Sequence, residues 1–127
     1  MFMLFFLIGC SQSLLGTWTG TCKFDDGNLS QDMVVEAEVW RDNGYIVEGD
    51  MRLLDWNDKL LVSPLNGDYT GKYVLMKADI EEEDSTYQFR VEGERLGSLI
   101  QGQCIIRISD GSGAAGNGLM GEVLLER

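Results

Sequence analysis

The residues in this chain with chemistry to offer are three cysteines, Cys10, Cys22 and Cys104, in a sequence without a single histidine. Lacking histidine, the chain has neither the commonest general base nor the commonest metal ligand. A Ser-His-Asp or Cys-His nucleophilic arrangement cannot be assembled from it, and neither can a zinc site of the usual nitrogen-and-sulfur kind. An enzyme would have to work with carboxylates alone, so the expectation is a protein that is not an enzyme. The acidic stretch from Asp79 to Asp84 could gather a calcium ion in principle, but it has no EF-hand spacing and reads as a solvated turn. The glycine-rich stretch over residues 110–118 lacks the Gly-Lys-Ser/Thr ending of a phosphate loop and reads as a hairpin loop at a barrel mouth. No metal and no cofactor are expected.

Cys10 closes an unbroken apolar run, Phe2-Met3-Leu4-Phe5-Phe6-Leu7-Ile8, followed by Gly9. An apolar stretch ending in small residues is how a secretory signal peptide reads. Leu7-Ile8-Gly9-Cys10 resembles the bacterial lipobox, which implies that Cys10 becomes the lipidated first residue of a chain held at the cell envelope, facing the periplasm or the exterior. Residues 1–9 are then the signal, expected to be truncated because no Lys or Arg precedes the apolar run. Residues 10–14, with Ser11-Gln12-Ser13, form a tether, and 15–127 the domain. A transmembrane helix needs ~20 apolar residues, and this run falls far short. The competing reading is a buried first strand rich in phenylalanine.

The formal net charge of −11 opposes nucleic-acid binding, because affinity for a phosphate backbone comes largely from Lys and Arg displacing counterions. Anionic head groups repel the surface too, which favours a covalent anchor as the route to a membrane. An acidic face can attract a basic protein partner, or can simply keep a tethered domain soluble. With 44% hydrophobic residues, the 127-residue chain can bury a core of one domain.

The elements that must position these residues are strands. One proline stands against 16 glycines, and period-two alternation recurs throughout. Residues 17–24 put Trp18, Cys22 and Phe24 on one face; 33–40 put Met33, Val35, Ala37 and Val39 there; 45–54 add Val47, Met51 and Leu53. Short strand 60–65 holds Pro64, a sign of an edge or bulge, and Asn66-Gly67-Asp68 reads as the turn after it. Residues 71–80, 86–93, 98–108 and 119–127 alternate likewise, and Asp42-Asn43-Gly44 is a hairpin signal. About eight strands in hairpin sequence predict an all-β fold, a single antiparallel up-and-down barrel, with a two-sheet β-sandwich as the alternative.

Leu15-Gly16-Thr17-Trp18 is similar to the opening strand of lipocalin-like and avidin-like barrels, particularly the small lipocalin-like domains of bacterial lipoproteins. The resemblance implies a barrel that carries a small apolar ligand, with the tryptophan packed across one end beneath an arginine from the far end of the chain. The phase agrees: Arg127 follows the inward set Leu119, Val123 and Leu125, and antiparallel pairing of first and last strands brings it near residues 16–18. Where lipocalins carry a second Thr-Asp-Tyr-x-x-Tyr motif, this chain has Gly67-Asp68-Tyr69-Thr70-Gly71-Lys72-Tyr73, whose second tyrosine sits one position too far along.

The expected interior includes Met51, Met76, Tyr87, Phe89 and Ile106 as candidate ligand lining, with Gly20, Gly49, Gly102 and Gly121 leaving space. The same side chains suit a plain packed core equally well. Arg127 is the one charged residue expected to point inward. Cys22 and Cys104 both face in, and an oxidising compartment favours a bridge. Two strand spacings of ~4.8 Å, however, set their Cα atoms about 9 Å apart, beyond the ~7 Å a disulfide tolerates. Only a bridge crossing the bare backbone of Gly121, set opposite Cys22, would close the gap, so bridged and unbridged thiols both stay open. Two functions compete: a lipid-anchored carrier of a small apolar ligand, and an acidic module that binds a basic protein. A cavity above ~300 Å³ lined by the inward residues would favour the first, and a solid interior with exposed loops carrying Trp40, Tyr45 or Trp56 would favour the second.

Overall fold

In a computed structural model, the described residues are 13–25, 30–54, 59–81, 85–110 and 118–127. Cys10 and the rest of the signal and tether up to residue 12, Trp56, the acidic positions 82–84 and the glycine-rich positions 111–117 lie outside them. Eight strands follow one another: β1 (Gly16–Asp25), β2 (Ser30–Asp42), β3 (Ile46–Leu54), β4 (Leu60–Thr70), β5 (Tyr73–Glu81), β6 (Ser85–Leu96), β7 (Leu99–Asp110) and β8 (Leu119–Glu126). Each pairs antiparallel with the next, and β8 returns to β1 to close a barrel. Closure removes both sheet edges, which a sandwich would leave exposed.

Alternation builds the wall. Along β4 every second residue is buried, from Leu61 to Tyr69, while its neighbours face water. The inward set of all eight strands merges into one core around Trp18, Met51, Met76, Phe89 and Leu125. The outer face carries exposed ion pairs such as Arg52–Glu36 at 3.2 Å, worth little to stability where water screens them.

Four details depart from the sequence reading, each for a local reason. Asn66-Gly67-Asp68 is not a turn but part of β4, and the chain reverses at residues 71–72 instead. Gly71 has φ of +61°, the left-handed conformation a tight turn demands; Gly67 lies in the strand, where a Cβ would overlap the Leu75 carbonyl of β5. Likewise β6 runs through Gly93 to Leu96 and turns at Gly97, φ +64°. The inward glycines do not hollow the interior either: at Gly20, Gly49, Gly102 and Gly121 the would-be Cβ meets a carbonyl oxygen of a paired strand, so backbone occupies that space. Finally, β8 is shifted by two residues from the expected pairing. Thr19 faces Glu126 and Cys22 faces Val123, so Gly121 lies opposite Phe24 rather than Cys22.

Candidate functional site

The two ends of the barrel differ. At one end, called the floor here, β1 begins, β8 ends, and the turns at 43–45, 71–72 and 97–98 join the strands. Trp18 is fully buried across this end, and its Nε1–H donates to the Leu14 carbonyl at 2.9 Å. Leu14, placed in the tether by the sequence reading, is itself fully buried in the core cluster. Arg127 lies with Cζ 4.7 Å from the Trp18 ring centre, and its Nη1 donates to the carbonyls of Ser13 at 2.7 Å and Leu15 at 3.0 Å. Gly16 is required for this: its φ is +123°, and a Cβ there would press to 3.0 Å on the Arg127 stem. The sequence pattern Gly-x-Trp thus leaves room for a cation to close over the ring, an arrangement worth ~0.5–2 kcal/mol.

A polar cluster that sequence reasoning missed completes the floor. Asp42 accepts hydrogen bonds from the Leu14 N–H at 2.8 Å, the Gly44 N–H at 2.9 Å, the Tyr69 hydroxyl at 2.9 Å and, more weakly, the Ser13 hydroxyl at 3.4 Å. Burial pushes its carboxyl pKa upward, but these four donors together outweigh burial and hold it below the usual value. The Tyr69 hydroxyl is raised, first by burial and then by its bond to the Asp42 carboxylate. Arg95, a second inward cation, reaches to 5.9 Å from the Trp18 ring; burial and then Arg127 lower its pKa, while Tyr69 and Asp42 act the other way. The expectation of one inward charge therefore fails. Arg95 continues the inward phase of Tyr87, Phe89 and Val91, visible only once β6 is allowed to run past Gly93. Asp42 comes in through the irregularity in β2 between Val39 and Arg41, which shifts the register.

Away from the floor, the predicted lining residues share one space. Met51, Met76, Phe89 and Ile106 are buried in the common core, and Tyr87 packs against them partly exposed. Phe89 pairs with Ala78 on one side and Ile106 on the other, a row across β5, β6 and β7. Tyr87 and Leu119, near the starts of β6 and β8, are the core-packed hydrophobics that keep some exposure, and both lie toward the end opposite the plug. Cys22 and Cys104 are disulfide-bonded, with Cα atoms 6.1 Å apart. The curved wall brings them closer than two flat strand spacings would. Cys104 faces Gly121 and Cys22 faces Val123, so the bridge crosses the inner face of β8 between those two positions.

The wall has a seam. Pairing of β4 with β5 covers Asn66↔Lys77 to Thr70↔Tyr73 and stops there. Two register positions further on, Pro64 would stand against Asp79, and proline has no N–H to donate. The Ser63 hydroxyl takes over, donating to the Asp79 carbonyl at 2.8 Å. A groove of about 340 Å³ lined by Ser63, Pro64, Asn66, Lys77 and Asp79 opens on the outer wall here. The bulge expected from Pro64 takes the form of this interrupted ladder.

Fold and site together define a closed antiparallel barrel of eight strands, plugged at one end and apolar within. Among solved structures it is similar to one described as EF1p2_mFAP2b bound to DFHBI, with a TM-score of 0.67 and 13% sequence identity over 92% of this chain and 98% of that one. At that identity the likeness shows the fold. No protein-family model matches the chain, and no curated protein matches it.

Proposed function

We propose that this chain is a lipid-anchored, lipocalin-like barrel of the bacterial envelope that holds one small apolar molecule in the half of its interior away from the floor. The observation that carries the proposal is the asymmetry of the barrel. Leu14, Trp18, Tyr69 and two arginines occupy one end, whereas Tyr87 and Leu119 keep some exposure toward the other, next to Phe89 and Ile106. Thioether and aromatic side chains adapt to apolar guests of varied shape. The interior of an eight-stranded barrel is either just filled by side chains or holds one small ligand, and the similar solved barrel is a complex with DFHBI. The interior offers a strongly polar ligand few partners, since Ser63 is the buried polar residue along the described strands and its hydroxyl serves the wall. Address follows from the Cys10 motif in the sequence. The role is binding, not catalysis.

Titration with a neutral naphthylamine probe tests this. Saturable fluorescence at one equivalent supports the proposal, and a linear, non-saturating rise overturns it. The alternative, an acidic module for a basic protein, draws on Trp40 and Tyr45, which are exposed. Both lie at the floor end, beside the start of the described chain.

A further inference from the structure

Six large apolar residues on the barrel exterior gather at one height. Tyr45, Tyr73 and Leu96 lie in or beside the three floor turns and are 61%, 61% and 55% exposed. Leu15, Trp40 and Ile46 stand exposed on the adjoining chain ends. Backbone bonds step from turn to turn: Tyr69 N–H to the Tyr45 carbonyl, 2.8 Å; Arg95 N–H to the Lys72 carbonyl, 2.6 Å; Arg127 N–H to the Ser98 carbonyl, 2.8 Å. The turns and the C-terminus therefore make one continuous rim. Cations flank the rings, with Arg41 Cζ 5.7 Å from the centre of Trp40 and Lys72 Nζ 5.9 Å from that of Tyr73. Glu48 and Glu94 at this level are ion-paired to those same cations. Amphipathic rings beside long basic side chains are what the head-group layer of a bilayer accommodates.

Two observations point to lipid as the occupant. Ser13 sits on this rim, its hydroxyl on Asp42 and its carbonyl on Arg127. It lies three positions after Cys10 in the sequence, so a chain held at that cysteine keeps the floor within about 10 Å of its anchor. Charge is also divided between the poles. The sequence segments joining strands at the far end contain the acids Asp26, Asp55, Asp58, Glu82, Glu83 and Asp84 against the single base Lys59; the floor turns at 43–45, 71–72 and 97–98 contain Lys72 and no acid. An anionic surface repels the far pole and turns the floor toward itself.

We infer that the floor rim docks into the head-group layer of a lipid bilayer, standing the barrel on the membrane with its far end pointing away. The inference rests on the anchored-barrel reading for its context, and its test is separable from it. Full-length chain coupled through Cys10 to a maleimide lipid, in vesicles of phosphatidylcholine and phosphatidylglycerol, stays on the membrane whether or not cells acylate that residue. Tyr45→Trp and Tyr73→Trp supply emission at the rim, and Gln103→Trp supplies it on the exposed middle of β7. Bromine-bearing lipids are expected to quench the added rim emission at least roughly twofold more than the β7 emission. Equal quenching at all three positions overturns the docking and leaves the rim to a protein partner. Independently, the mass of chain recovered from bacterial membranes reports on Cys10: an unmodified thiol overturns the anchored reading, whatever the quenching shows.

Discussion

The cross-link between Cys22 and Cys104 joins two strands that do not pair, and removing it should be the most costly change to the barrel wall. The two residues are separated by 82 positions in sequence, so the bridge closes most of the chain into one loop. Chain-entropy reasoning for a loop of that length gives about 4.5 kcal/mol of stabilisation through restriction of the unfolded state. A domain of this size unfolds with an entropy near 0.27 kcal/mol/K, so the same figure corresponds to roughly 15 °C in Tm. The double variant Cys22→Ala/Cys104→Ala should therefore melt about 15 °C below the parent by circular dichroism, with the β spectrum retained at low temperature. Reduction of the parent should reproduce most of that drop, and reduction of the double variant should change nothing. The reasoning fails if denatured, unreduced parent titrates three thiols per chain, or if parent and double variant melt together.

Other perturbations probe the floor and the seam. Trp18→Ala removes a fully buried ring and its hydrogen bond to Leu14, and should cost ~3–5 kcal/mol in denaturant titration; an unchanged midpoint would refute the structural role of the Trp18–Arg127 pair. Asp42, with its carboxyl pKa held below the ordinary value, stabilises the fold above the unfolded-state value of about 4 and loses that contribution as pH falls through the lowered folded-state value. Asp42→Asn should thus be less stable than the parent at neutral pH, with the gap narrowing below about pH 4; a gap that is constant across the acid range would contradict this. Ser63→Ala leaves the Asp79 carbonyl to solvent and should cost ~1 kcal/mol, with faster amide exchange in neighbouring β5.

Much of this architecture was legible because half-buried strands write their two faces into the sequence as alternation. Met33, Val35, Ala37 and Val39 against Glu36 and Glu38 admit one orientation of β2. What alternation does not reveal is which glycine is a turn. Gly67 and Gly71, like Gly93 and Gly97, are alike as residues, yet only Gly71 and Gly97 take positive φ; the other member of each pair marks close backbone approach. Turns placed at Gly67 and Gly93 shorten β4 and β6 and hide Tyr69 and Arg95 from the inward face, whereas the strands run on to Thr70 and Leu96. Asp42 was hidden differently, since the register shift after Val39 breaks the count by twos. Barrel closure lay furthest out of reach: pairing β1 with β8 depends on curvature and stagger, so Gly16, Trp18 and Arg127 could be grouped while their register was off by two. The disulfide turned on that same curvature. Lidless polar clusters such as the one around Asp42 carry no periodic signal at all.

The most direct measurement is native mass spectrometry of the folded protein taken from a bacterial envelope fraction. A barrel that carries an apolar guest should appear with an added mass on the order of a few hundred daltons, the size such an interior admits, lost when the protein is denatured. The bare mass of the chain, with or without acyl groups, unchanged by denaturation and by prior incubation with apolar probes, would contradict the account.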